Sequence, residues 1–163
     1  SVRTDGEWIK LDKGAVRYIG DFVIDKPVQE LTLESIEKQG FPFWCGNITV
    51  EKEIDVVGEN PVINFELNGV NALIVEINGI KKTYLYCGTV RLSEFNAYGK
   101  TNIKITLINN LRNLLGPHHL KRGESIRVTP GDFYKEKCIW DMNTEDKWDN
   151  SYCFTITGVG FGK

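Results

Sequence analysis

Between residues 48 and 108 apolar, mostly β-branched side chains recur at every second position. A chain that does this is committed to strands, because only the pleated backbone repeats its side-chain direction with period two. Ile48, Val50, Ile54 and Val56 share one parity, with charged residues between them; Ile63, Phe65 and Leu67 alternate with Asn64 and Glu66. Leu73, Val75 and Ile77 form a third set, and Ile103, Ile105 and Leu107 alternate with Asn102, Lys104 and Thr106. Each set describes a strand with one buried face. Segments 80–86 and 89–92 extend the pattern, and Tyr98-Gly99 turns the chain into the strand at 102–108. Asn68-Gly69 and Asn78-Gly79 predict hairpin turns, since both residue types tolerate positive φ. Region 48–92 therefore reads as a meander.

The flanks supply the remaining elements. Segment 14–24 is one long or broken strand, with Gly20 as the break. In 27–39 the spacing of Leu33 and Ile36, a capping Thr32, an N-terminal Glu34 and a terminating Gly40 predict one short helix. Phe41-Pro42-Phe43-Trp44-Cys45-Gly46 is too aromatic for a linker; it is expected to fold over the sheet as a plug or to line a pocket, with the plug favoured. Ser125 to Thr129 reads as a short strand closed by Pro130-Gly131. A long aperiodic loop then runs through Phe133, Tyr134, Trp140 and Trp148. Tyr152, Phe154 and Ile156 alternate in a final strand. Many short strands and one short helix predict an all-β, antiparallel two-sheet sandwich, and the long connections favour a jelly roll.

At 163 residues the chain can bury one core, so a single domain over 1–163 is expected. It begins Ser1-Val2 and its only methionine is Met142, the pattern expected of a chain processed or excised from something longer. Net charge is −2 with both signs interleaved, which argues against nucleic acid and anionic membrane as partners. No apolar run is long enough to span a bilayer as a helix. The four cysteines, Cys45, Cys87, Cys138 and Cys153, form no Cys-x-x-Cys pair, so zinc is poorly supported and mostly buried, unpaired thiols are expected. A monomer without a cofactor is the corresponding expectation. Asn47-Ile48-Thr49 is a glycosylation sequon by pattern alone.

The densest polar chemistry lies in Asn109-Asn110-Leu111-Arg112-Asn113-Leu114-Leu115-Gly116-Pro117-His118-His119-Leu120. A guanidinium, several amides and the only two histidines could grip a polar ligand or satisfy buried backbone. Adjacent imidazoles on an extended chain point to opposite faces, which argues against a shared metal. Carbohydrate recognition needs aromatic faces and a few planar polar groups. Trp44, Tyr86, Trp140 and Trp148 are candidate faces; Arg112, Asn113, His118 and His119 are candidate polar partners. Asp141 and Asp146, in an acid-rich loop with Glu145 and Asp149, are candidate ligands of a structural calcium. No nucleophile elbow, P-loop or dinucleotide fingerprint is present, and autonomous catalysis is not expected.

Four stretches together resemble the galactose-binding-like β-sandwich domains, specifically the non-catalytic sugar-binding-type domain of family-two-type glycoside hydrolases. They are Gly40-Phe41-Pro42-Phe43-Trp44-Cys45-Gly46, Leu73-Ile74-Val75-Glu76-Ile77-Asn78-Gly79, Gly99-Lys100-Thr101-Asn102-Ile103-Lys104-Ile105 and Arg112-Asn113-Leu114-Leu115-Gly116-Pro117-His118-His119. The resemblance covers most of residues 40 to 160. It implies a jelly roll, catalysis located elsewhere in a longer chain, and an extracellular or cell-surface setting in a bacterium, with the cytoplasm left open. It leaves two roles open: direct glycan binding, or docking on the catalytic domain of the parent enzyme. Two aromatics presented together at a concave site would favour the first, and an exposed apolar patch around Leu114 and Leu115 the second.

Overall fold

The structure, a computed structural model, describes residues 1–11, 14–116, 118–119 and 149–162. Its strands are β1 (Val2–Thr4), β2 (Glu7–Lys10), β3 (Ala15–Ile19), β4 (Phe22–Ile24), β5 (Asn47–Val56), β6 (Val62–Asn68), β7 (Ala72–Ile77), β8 (Ile80–Tyr84), β9 (Gly88–Arg91), β10 (Gly99–Ile108), β11 (Tyr152–Thr155) and β12 (Gly158–Phe161). All pairings among them are antiparallel. One sheet has the order β5-β10-β7-β8 and a second β12-β6-β9. Their inner faces share a single apolar core: Leu73, Val75, Ile77, Ile103, Ile105 and Leu107 from the first meet Phe65, Val90 and Val159 from the second. The protein is an all-β antiparallel sandwich.

The alternation read from the sequence is the alternation observed. Ile103, Ile105 and Leu107 of β10 stand opposite Ile77, Val75 and Leu73 of β7 and opposite Lys52, Val50 and Ile48 of β5. On the outer face Lys104 meets Glu51 at 3.1 Å and Thr49 shares a 2.9 Å hydroxyl contact with Thr106. Asn78-Gly79 makes the expected β7–β8 hairpin, with φ of 51° and 77°. The Asn78 amide also donates to Asn96 O at 2.9 Å, tying the hairpin tip to the 3-10 turn Leu92–Phe95.

The meander is not what forms. β5, β6 and β7 are not paired with one another, and Asn68-Gly69, expected to close a hairpin, instead carries the chain from the second sheet to the first. An Asn-Gly pair makes positive φ easy; whether the strands then pair is decided by which sheet buries each apolar face.

The predicted helix is also shorter than expected. Only the 3-10 turn Ile36–Gln39 forms, ending at Gly40 as read, and Thr32 does not cap it. The Gln39 amide oxygen takes Thr32 N–H at 2.9 Å and the Thr32 hydroxyl at 3.1 Å, while its NH2 donates back to Thr32 O. With the Gln39 amide also donating to Glu34 O, and with Ser35 in the left-handed region at φ 51°, the chain before Ile36 is held in a non-helical path. Leu33 and Ile36 are both buried, as their spacing indicated.

Gly20 does break the first long strand, into β3 and β4. A Cβ there would lie 2.5 Å from the Cα of Gly6, so the close approach requires glycine. A third sheet, β11-β3-β2, and the pair β1-β4 accompany a second apolar cluster of Val16, Tyr18 and Phe154, with Trp8, Phe22, Phe43 and Tyr152 packed on it. The 41–46 plug feeds both clusters: Trp44 the first, Phe43 the second.

Two of the thiols expected to be buried are not. Cys45 and Cys87 are free and exposed, each next to a glycine at a turn, whereas Cys153 in β11 is buried. Cys138, the strand expected at 125–129 and the long loop up to residue 148 lie outside the described residues.

Candidate functional site

β10 hands the chain to Asn109 and then to α1, the single helical turn Arg112–Leu115. The turn starts where it does because Asn110 Oδ1 accepts the Arg112 N–H at 2.8 Å, while the Asn109 amide donates to Trp44 O at 3.1 Å. Asn113 is then carried into the interior, 1% exposed. Its NH2 donates to Thr155 O at 2.8 Å and to Glu37 Oε1 at 3.2 Å, and its oxygen accepts the Thr155 N–H at 2.8 Å. Glu37 Oε1 also accepts the Thr157 N–H at 2.9 Å and the Thr157 hydroxyl. That hydroxyl in turn accepts from the Trp44 indole at 2.8 Å.

The network binds α1, the 3-10 turn at Ile36–Gln39, the β11–β12 corner and the plug to one another. Glu37 is fully buried, and its Oε2 receives no hydrogen bond among the described residues. Burial pushes its carboxyl above the usual range; the Thr157 donors and the nearby Trp44 N–H oppose that shift without cancelling it. Asn113 and Trp44, both candidates for ligand contact, are consumed here by the fold.

The neighbouring candidates are placed differently. The His118 ring packs edge-on to Phe43 at 5.4 Å and tilted against Phe154 at 5.3 Å, with Nε2 3.3 Å from Leu114 O. Burial among these rings lowers its pKa and so favours the neutral imidazole. His119 is exposed, lies 4.7 Å from the Tyr152 ring and has Nδ1 3.0 Å from Ser151 O. The two histidines thus diverge, one inward and one outward. Arg112 is half-buried beside them, and Leu111, Leu114 and Leu115 are exposed on the same turn, Leu115 to 72%. Tyr86 is 81% exposed in the β8–β9 connection, and no contact among the described residues joins it to this group. Trp140, Trp148, Asp141 and Asp146 lie outside the described residues, and among the described ones no three His, Cys, Asp or Glu side chains are grouped to hold a metal ion.

A large concavity among the described residues is elsewhere. A cleft of about 1100 Å³ opens between segment 28–33 and the edge strand β5. Leu31, Ile48, Val50, Ile54 and Ile63 form its apolar walls, over Ile103 and Ile105. Two aromatic rings stand along it: Phe41, half-buried, and Phe161 at the end of β12, 42% exposed. Gln29, Glu30, Thr32, Thr49, Glu51 and Lys52 are its polar lining residues.

The fold and the cleft define the class: an antiparallel β-sandwich with a concave surface at the open edge between its two sheets. No family model matches the chain, and it has no match among curated proteins or solved structures.

Sequence reasoning missed the cleft, because segment 28–33 read as the approach to a short helix capped by Thr32, and Phe161 as a terminal residue. One signal was present: Lys52 interrupts the row Ile48, Val50, Ile54, Val56 at a position whose parity is inward. Glu37 gave no such signal, since a single acid in a polar segment is ordinarily solvated.

Proposed function

We propose that this chain is a non-catalytic accessory module of a carbohydrate-active enzyme, and that it binds saccharide in the cleft between segment 28–33 and β5. One observation carries the reading: Phe41 and Phe161 line the same concave site, with Gln29, Glu30 and Lys52 among its polar lining. Ring faces for the C–H side of a sugar, with a few polar groups for its hydroxyls, are what such a ligand requires. The strand order β5-β10-β7-β8 over β12-β6-β9 supports the jelly-roll reading: from β5 to β10 every connection except the β7–β8 hairpin crosses between the sheets, and the backbone at Leu33 accepts from Val159 N at 2.7 Å beside β12, where a further strand of that topology would lie. A glycan array probed with the 163-residue chain tests the function. Phe161→Ala is expected to weaken binding of any captured glycan roughly tenfold, through about 1–2 kcal/mol of lost ring contact, with the melting temperature nearly unchanged. An array without a hit, or a Phe161→Ala variant that binds as well as the parent, refutes the cleft as a saccharide site.

The exposed leucines on α1 favour a second reading, docking on a neighbouring domain. Leu111, Leu114 and Leu115 project from one turn, and exposed apolar groups gathered in this way mark contact surfaces. A chain carrying Leu114→Ser and Leu115→Ser is expected to bind less of an apolar dye than the parent. Equal dye binding would remove the leucines as a docking surface.

A further inference from the structure

Lys52 is the one charged side chain on the inward parity of β5. Ile48, Val50, Ile54 and Val56 share that face, and across the ladder Lys52 stands opposite the buried Ile103. Two of the strand's three other charges are outward and matched, Glu51 with Lys104 at 3.1 Å and Glu53 with Lys100 at 3.8 Å; the third, Asp55, is outward, exposed and without an ion pair among the described residues. Lys52 has neither a hydrogen bond nor an ion pair among the described residues. The outer face of β5 is thus close to neutral, whereas an unpaired ammonium stands over the apolar walls of the cleft.

We propose that the cleft selects acidic saccharides, with an anionic substituent, carboxylate or sulfate, held by the Lys52 ammonium while Phe41 and Phe161 take the ring. The inference rests on the cleft being a saccharide site and adds the charge class of the ligand. A charge-assisted hydrogen bond is shorter and stronger than a neutral one, and the attraction grows as a bound ring displaces water beside the apolar walls. The sugar ring covers the apolar walls and the anion meets the one unmatched cation. Glu30 is the opposing charge on the facing segment, exposed and without an ion-pair partner among the described residues. It sets a limit on how much negative charge the cleft takes, so a ligand with one anionic group per bound ring suits it better than a polyanion.

An inward lysine on an edge strand also discourages edge-to-edge association, and the experiment separates the two roles. Binding of an oligogalacturonate, a sulfated oligosaccharide and a neutral oligogalactan of equal length is measured by calorimetry, at low and at high salt. The galacturonate or the sulfated ligand is expected to bind more tightly than the neutral one, with a preference that falls as salt rises. Lys52→Met should cost the acidic ligand roughly tenfold or more, well beyond any loss for the neutral one, and so remove the preference. Lys52→Arg, which keeps the charge, should keep the preference, and Glu30→Gln should increase it. Neutral and acidic ligands bound alike, or a Lys52→Met variant that differs only by self-association in light scattering, would overturn the proposal. If none of the three saccharides binds, the saccharide reading of the cleft fails and the charge selectivity falls with it.

Discussion

Asn113→Ala is expected to lower the stability of the fold by about 2–4 kcal/mol, because it strands two part-buried backbone groups of Thr155, and a buried group without a partner costs about 1–3 kcal/mol. The side chain is 1% exposed and exchanges two hydrogen bonds with Thr155, one through each end of its amide, both at 2.8 Å. Its third contact, to Glu37 Oε1 at 3.2 Å, is lost as well. In a domain of this size the melting temperature should fall by roughly 5–15 °C. Asn113→Asp is the informative companion: it retains the acceptor for Thr155 N–H and places a second carboxyl against Glu37, so it should be destabilised more at pH 8 than at pH 4. A thermal melt unchanged by Asn113→Ala would show that α1 is not fastened to β11 through this amide.

Glu37→Gln is expected to change how stability depends on pH. Burial raises the pKa of Glu37 in the folded chain above its value in the unfolded chain, so the folded state holds the proton more tightly. Its contribution is therefore fully present below the unfolded pKa and is lost as pH rises through the folded pKa. Above that, the fold carries a buried carboxylate whose Oε2 has no hydrogen bond among the described residues. Gln keeps an oxygen for Thr157 and Asn113 and never ionises. Parent and variant should melt at similar temperatures at pH 4, and the variant should melt higher at pH 8, with a flatter profile between. A parent that gains stability relative to the variant as pH rises would reverse the sign and show that the Thr157 donors outweigh desolvation.

The strands and their faces were legible because their signal is local. Period-two alternation at Ile103, Ile105 and Leu107 fixes which side of β10 is apolar whatever it pairs with, and Asn78-Gly79 makes its tight turn from its own φ preferences. Gly20 was readable as a break for the same reason. The aromatic plug was legible as a class, although nothing local assigns Trp44 to one core and Phe43 to the other.

The candidate site was legible only in part. Asn113 and Trp44 stood out as chemistry-bearing residues, but a polar or aromatic side chain has the same local signature whether it faces a ligand or a buried backbone group. What separates the two is burial, which belongs to the assembled sandwich.

The sequence by itself determined an all-β antiparallel chain, with the inward residues of its long strands set and the β7–β8 hairpin closed at Asn78-Gly79. Only the tertiary structure decided which strands pair, because a one-faced strand accepts any partner that buries that face; hence Asn68-Gly69 became a crossover between sheets. It also decided that Glu37 meets Thr157, 120 residues away, and that the edge of β5 stands apart from segment 28–33 with Lys52 between them. Both are consequences of packing whole faces together. The Glu37 contact exists because burial removes water from the carboxyl, and the cleft because the two sheets do not close at that edge.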